Sequence, residues 1–221
     1  MTRGRLSSFQ SAVLDEFFAH ERGFFLSGGG ALAGFHLKHR ETSDLDLFTA
    51  SAEAFERARF SLPHLAEKLG GSLSVLQDTP GFRRVALTHD SDALVVDLVR
   101  EIAQQHHDKI EIDGIIVDSV EEIFSNKLTT LVSRQEVRDL VDVFELERLG
   151  LRAEHFLREA NEKDGGCTPA TLAWLLSQWN LPDNTKLPAG YQVEQLRRFK
   201  DELTERMALA AHPARNPSGS T

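Results

Sequence analysis

The hydrophobic period of this chain changes near residue 119, and that switch limits what it can fold into. Before it, short runs alternate or are almost wholly apolar, as in SDLDLF, FRRVALTH and ALVVDLV. From Val120 onward apolar residues recur every three or four positions, through VEEIFSNKLTTLV, QEVRDLVDVFELERLG, AEHFLREANEK, TPATLAWLLSQW and GYQVEQLRRFKDELTERM. A period of two suits one face of a strand, and a period near 3.6 one face of a helix. The chain therefore reads as α+β. An α/β core with a mixed sheet occupies residues 1–119, a helical domain residues 120–209, and a tail expected to be disordered residues 210–221.

Within the first part, SSFQSAVLDEFFAH reads as a helix capped by Ser7 or Ser8, and Phe24 to Leu26 as a short strand running into Gly28–Gly29–Gly30. ALAGFHLK reads as a short helix and SDLDLF as a half-buried strand. A helix is expected from Glu53 to Leu69, interrupted near Pro63 and ended by Gly70–Gly71. SLSVLQD, FRRVALTH and ALVVDLV are strands, the last expected to be buried on both faces. KIEIDGIIV carries Asp113–Gly114 between two β-branched runs and predicts a hairpin.

Composition excludes several classes. The formal net charge of -9 argues against a bulk electrostatic grip on nucleic acid, which requires many phosphates to be neutralised. With Cys167 as the only cysteine, neither an internal disulfide nor a cysteine zinc site can form. The start of the chain lacks the apolar core of a signal peptide, and no apolar run approaches the roughly 20 residues that span a bilayer. A cytoplasmic protein with no membrane association is expected.

The chemistry concentrates in carboxylates. Asp44 and Asp46 alternate with leucines, so they share one face of their strand, where two like charges repel unless a cation or proton intervenes. Such hard oxygen ligands suit Mg²⁺. Asp97 interrupts an otherwise apolar strand, so it must be paired, protonated or metal-bound, and three carboxylates on two neighbouring strands could hold divalent ions for displacement at phosphorus. Gly28, Gly29 and Gly30, between a strand and a helix, allow backbone N–H groups to approach a phosphate. No G-K-[ST] follows them, which excludes a Walker loop, and no G-x-S-x-G elbow supports a hydrolase. Lys38 and Arg40 are candidate cations for a triphosphate. Lys127 falls within the apolar stripe Val120, Ile123, Phe124, Leu128 and Leu131, where its stem can pack while its ammonium meets phosphate charge or solvent. Asp139 and Asp142 lie on a helix with two apolar sides, so at least one should face inward, whether for catalysis or to pair with Arg134 or Arg138. His36 and His39 lack the further ligands a zinc site needs.

The stretch GGGALAGFHLKHRETSDLDLF, followed much later by KLTTLVSRQEVRDLVDVFEL, resembles the two motifs of the AbiEii/AbiGii-type nucleotidyltransferases. That family includes toxins of type IV toxin–antitoxin systems and the related MenT toxins. The resemblance covers residues 24 to about 150. It implies a minimal polymerase-β-type core that transfers NMP from an NTP to an acceptor, with an RNA (tRNA) 3′ end as the expected acceptor and an antitoxin as a possible partner. It further implies Mg²⁺, or Mn²⁺, on Asp44, Asp46 and Asp97, phosphates on Gly28 to Gly30, and catalytic or nucleotide-positioning roles for Lys127 and for Asp139 or Asp142. Where the family commonly has Ser or Thr after its glycines, this chain has Ala31. Two alternatives stand beside this reading: a catalytically silent member that binds nucleotide or antitoxin, and a small-molecule nucleotidyltransferase.

Overall fold

The computed structural model describes residues 3–212; residues 213–221, most of the expected disordered tail, lie outside the described residues. The chain divides into two compact units, Met1–Ile123 and Phe124–Thr221. Helix α4 (Val120–Ser133) begins in the first unit and ends in the second.

The first unit is built on a seven-stranded mixed sheet. Its strands are β1 (Phe25–Ser27), β2 (Asp44–Thr49), β3 (Ser72–Thr79), β4 (Phe82–His89), β5 (Asp92–Arg100), β6 (Ile110–Ile112) and β7 (Ile115–Val117). They lie in the order β3-β4-β5-β2-β1-β7-β6. β2 runs parallel to β5 and β1 parallel to β7, while the other pairs are antiparallel. Alternation decides which face closes. Leu26, Leu45, Leu47, Val85, Val96 and Leu98 are fully buried on one face. The opposite face carries Ser27, Asp44, Asp46, Arg84 and Asp97. In β5 the face bearing Val95 and Val99 is only half-buried, so the strand expected to be buried on both sides is sealed on one. Asp113 and Gly114 both adopt positive φ, 49° and 79°, the turn that closes the β6–β7 hairpin without splaying it.

Helices α1 (Ser8–His20) and α3 (Ala52–Lys68) pack against this sheet. Ser7 caps α1 in a capping box: its hydroxyl accepts from the Gln10 N–H, and the Gln10 side chain accepts from the Ser7 N–H. α3 was expected to break near Pro63, yet it continues through it. Leu62 and Leu65 are buried on either side of the proline, and that packing holds the backbone across the hydrogen bond that proline cannot donate. The glycines also depart from expectation. Gly28–Ala31 form the first helical turn themselves (α2), and Leu32–His36 continue as a π-helical turn.

The second unit contains the body of α4 with α5 (Val137–Arg148), α6 (Ala153–Lys163), α7 (Pro169–Gln178) and α8 (Val193–Ala210). Aromatic pairs fasten it: Phe124 with Phe156 at 5.0 Å between ring centres, and Phe144 with Phe199 at 5.1 Å. Arg206 of α8 bridges Glu147 of α5 at 2.7 Å and Glu154 of α6 at 3.0 Å. Trp179 is buried, whereas Trp174 is 62% exposed. Among the described residues, no helix is long and apolar enough to cross a membrane.

Removing the α1 cap tests the capping-box assignment. Ser7→Ala should lower stability by about 1 kcal/mol, measured as a shift in the urea unfolding midpoint at constant m.

Candidate active site

The open face of the sheet gathers polar residues into one row by register alone. Ser27 of β1 pairs with Asp46 of β2, Asp46 with Asp97 of β5, and Asp97 with Arg84 of β4. Directly paired residues project side by side from the same face, so the register brings Asp46 and Asp97 together and leaves Asp44 two positions along the same face. The Asp44 Oδ1 accepts a 2.8 Å hydrogen bond from the Thr42 hydroxyl, which fixes its carboxylate. The Gln10 side-chain amide in turn donates to the Thr42 carbonyl at 2.9 Å.

Glycine is required beside these carboxylates for space. Gly28 has φ +59°, and a Cβ there would lie 2.7 Å from the Asp46 Oδ2. A Cβ on Gly29 would meet the Arg40 guanidinium at 3.0 Å and the Thr42 hydroxyl at 3.1 Å. Gly30 faces the core instead, where a Cβ would crowd Leu26 and Leu45. The buried Arg40 thus lies against the glycine turn, donating to the Glu41 carbonyl at 3.0 Å. Lys38 is exposed, with positive φ, its carbonyl accepting from the Arg5 guanidinium. Ala31, where the family commonly has Ser or Thr, is fully buried.

Asp97 is engaged. Arg84 grips it with both arms, Nε to Oδ1 at 2.8 Å and Nη2 to Oδ2 at 2.6 Å. Arg84 is held more firmly protonated than usual, first by this hydrogen bond and then, against a loss to burial, by the charges of Asp97, Asp46 and Asp44. Asp44 and Asp46 offer hard oxygens on a half-open strand face, and Mg²⁺ typically takes one or two protein carboxylates with water and substrate oxygens completing its shell. The pair fits such an ion, in a cradle that a Cβ at residue 28 would fill. Asp97 already gives one lone pair of each oxygen to Arg84, so any bond it made to a cation would be shared with that arginine. Among the described residues, no three His, Cys, Asp or Glu side chains are gathered as a metal site.

A second cluster, not foreseen from sequence, lies at the end of β7. Asp118 is fully buried and accepts from the Lys109 ammonium at 2.6 Å and the Ser27 hydroxyl at 2.7 Å. Its carbonyl meets the His36 Nε2 at 2.7 Å, and its N–H donates to the Leu26 carbonyl. Glu122, also buried, accepts from the backbone N–H groups of His106 and His107, both at 2.8 Å. His36, considered for zinc, is used here as a hydrogen-bond partner.

The helical unit holds its own knot of charge. The Lys127 ammonium sits between Asp139 Oδ1 and Asp142 Oδ2, each at 2.7 Å, and both carboxylates are fully buried. Arg134 adds a 2.9 Å contact to Asp139. Burial works against the ammonium, but Asp142 and Asp139 together outweigh it and raise the Lys127 pKa. Both aspartates therefore point inward, where the sequence required only one.

Two outcomes follow from these environments. Lys127→Met takes the shared cation from two buried carboxylates, leaving Asp139 its contact with Arg134, and should destabilise the protein by about 3–5 kcal/mol in urea unfolding. Adding Asp139→Asn and Asp142→Asn should return much of that loss. Burial lowers the His36 pKa from 6.5, opposed by its bond to the Asp118 carbonyl and by the charges of Asp118 and Glu121. Below pH 6.5 the unfolded chain takes up a proton that the folded one refuses, so this histidine costs stability as pH falls. His36→Gln should flatten the decline in unfolding free energy as pH falls below 6.5, relative to the parent.

Comparison with known proteins identifies the family and the fold. The family model for the nucleotidyl transferase AbiEii toxin of type IV toxin–antitoxin systems matches residues 12–214. No curated protein matches the sequence. Among solved structures, JHP933 from Helicobacter pylori is similar at TM-score 0.59 and 16% identity, over 91% of this chain and 89% of that one. A candidate nucleotidyltransferase from H. pylori is similar at TM-score 0.54 and 16% identity, over 92% of this chain and 95% of that one. At that identity the likeness establishes the fold, and the family match establishes membership: this chain belongs to the AbiEii nucleotidyltransferase toxin family.

Proposed function

We propose that the protein is a toxin that transfers a nucleoside monophosphate from an NTP to an acceptor hydroxyl, with an RNA 3′ end, tRNA by family resemblance, as the acceptor. The observation that carries this reading is the pair Asp44 and Asp46 on the open face of β2, directly beside the Gly28 turn. The acceptor oxygen would attack the α-phosphorus. A new O–P bond forms, the α–β bridging bond breaks, and pyrophosphate leaves with that electron pair. One β2 carboxylate accepts the hydroxyl proton. Asp44 and Asp46 would hold Mg²⁺ or Mn²⁺, which supplies Lewis-acid stabilisation of the charge on the phosphate oxygens. The backbone of Gly28 to Gly30 and the Arg40 guanidinium would carry the phosphates; Lys38 has a lesser claim because it sits on the exterior. Lys127, Asp139 and Asp142 take a nucleotide-positioning role by family resemblance, and their mutual ion pairs support a role in holding α4 and α5 together. Family membership supports an antitoxin partner, and the protein would act in the cytoplasm.

A second reading, a silent member that binds without transferring, draws on the closed Arg84–Asp97 pair and the enclosed Lys127. One assay separates the two: incubation with each labelled NTP, Mg²⁺ or Mn²⁺, and total cellular RNA. Label should enter RNA with release of pyrophosphate. Asp44→Asn and Asp46→Asn should each abolish transfer and weaken Mn²⁺ binding in calorimetry while leaving the unfolding midpoint equal or higher, because a like-charge repulsion is relieved. Near-normal transfer in either variant at saturating metal would remove the metal assignment.

A further inference from the structure

Residues Ser27 to His36 form one excursion: the end of β1, the glycine turn and the π-helical turn. A single residue outside it, Asp118, holds both of its ends. At the near end the Asp118 N–H donates to the Leu26 carbonyl at 2.8 Å, and its Oδ2 accepts the Ser27 hydroxyl at 2.7 Å. At the far end its carbonyl lies 2.7 Å from the His36 Nε2, which must carry the proton in that bond. Every polar group of Asp118 is thus engaged, with Lys109 on the remaining carboxylate oxygen at 2.6 Å. Lys109 is itself fixed by Gln105 at 2.6 Å and by the Phe25 ring at 4.3 Å. Burial raises the Asp118 pKa, and the Lys109 charge and hydrogen bond, with the Ser27 hydroxyl, pull it back. A fully buried carboxylate is an expensive way to tie down a serine. What it fixes is the turn whose first residue lies against Asp46.

We infer that Asp118 is a positioning residue: through the Ser27 hydroxyl its carboxylate sets where the glycine turn stands relative to Asp46, and so the protein's affinity for the phosphates of its nucleotide, while the His36 and Leu26 bonds use its backbone and survive substitution. This rests on the reading of Gly28 to Gly30 as the phosphate-binding turn. Asp118 does not touch the nucleotide. Its loss therefore appears in nucleotide binding and KM, with kcat largely retained.

The test uses the full chain with each of the four NTPs and Mg²⁺, measuring Kd by calorimetry, KM and kcat by transfer, and the urea unfolding midpoint. Asp118→Ala and Ser27→Ala should each raise Kd and KM about tenfold, the worth of one buried hydrogen bond. The double variant should lose little more than either alone, because both break the same link. Asp118→Asn keeps an oxygen to accept the Ser27 hydroxyl and should recover most of the affinity. Gly28→Ala is the control for the underlying reading, since its Cβ intrudes on Asp46. If Gly28→Ala abolishes nucleotide binding while Asp118→Ala, Asp118→Asn and Ser27→Ala lower only the unfolding midpoint, Asp118 is structural and the inference falls. If Gly28→Ala binds nucleotide as the parent does, the phosphate-turn reading falls and takes the inference with it. Should Asp118→Ala not fold, Ser27→Ala and Asp118→Asn decide the matter alone.

Discussion

Acidic side chains brought close together in a folded chain must each be given a compensating charge or hydrogen bond, and that requirement organises both units. Asp46 and Asp97 are direct neighbours across parallel strands. The sheet answers with Arg84 on the next strand, whose two-armed contact ties β4 to β5 at the point where the charge density is highest. At the other flank Lys109 does the same for Asp118. In the helical unit Lys127 and Arg134 together meet Asp139 and Asp142. Removing the cation from any of these pairs costs more than forming the pair gained, because the carboxylate left behind is buried away from water. The polar face of the sheet is therefore as constrained as the leucine face behind it, though by a different force.

The same constraint accounts for the glycines. A carboxylate that must keep its oxygens accessible on a half-open face cannot share that space with a side chain. Gly28 yields the room beside Asp46, and Gly29 yields it to Arg40 and Thr42. The π-helical turn that follows adds a residue to the coil just where the chain must reach His36 and Asp118.

Much of this was legible in the sequence, and the parts that were not share a cause. Strands, helices and the Asp113–Gly114 hairpin follow from local periodicity and turn chemistry, which need no partner to be recognised. Asp44 and Asp46 were legible because alternation alone puts them on one face. Arg84 was not: in FRRVALTH either arginine could lie opposite the aspartates, and only the β4–β5 register selects Arg84 over Arg83. Ser27 and Asp118 stand 91 residues apart, and no local pattern joins them. Pro63 misled for the opposite reason, since the local rule was sound but tertiary burial of Leu62 and Leu65 overrode it. Lys127 stands out in its apolar stripe, but the sequence points its ammonium to phosphate or solvent, whereas the fold encloses it between Asp139 and Asp142.

Gln10 carries two assignments that are usually kept apart. Its Oε1 completes the cap of α1 and its Nε2 reaches the carbonyl of Thr42, the same residue whose hydroxyl aims Asp44. Glutamate would preserve the first bond and set an anion against a carbonyl in the second; lysine or arginine would do the reverse. The position is consequently pleiotropic: selection on how the N-terminal helix starts and selection on how the aspartate strand is aimed act through one amide, and neither can drift without the other.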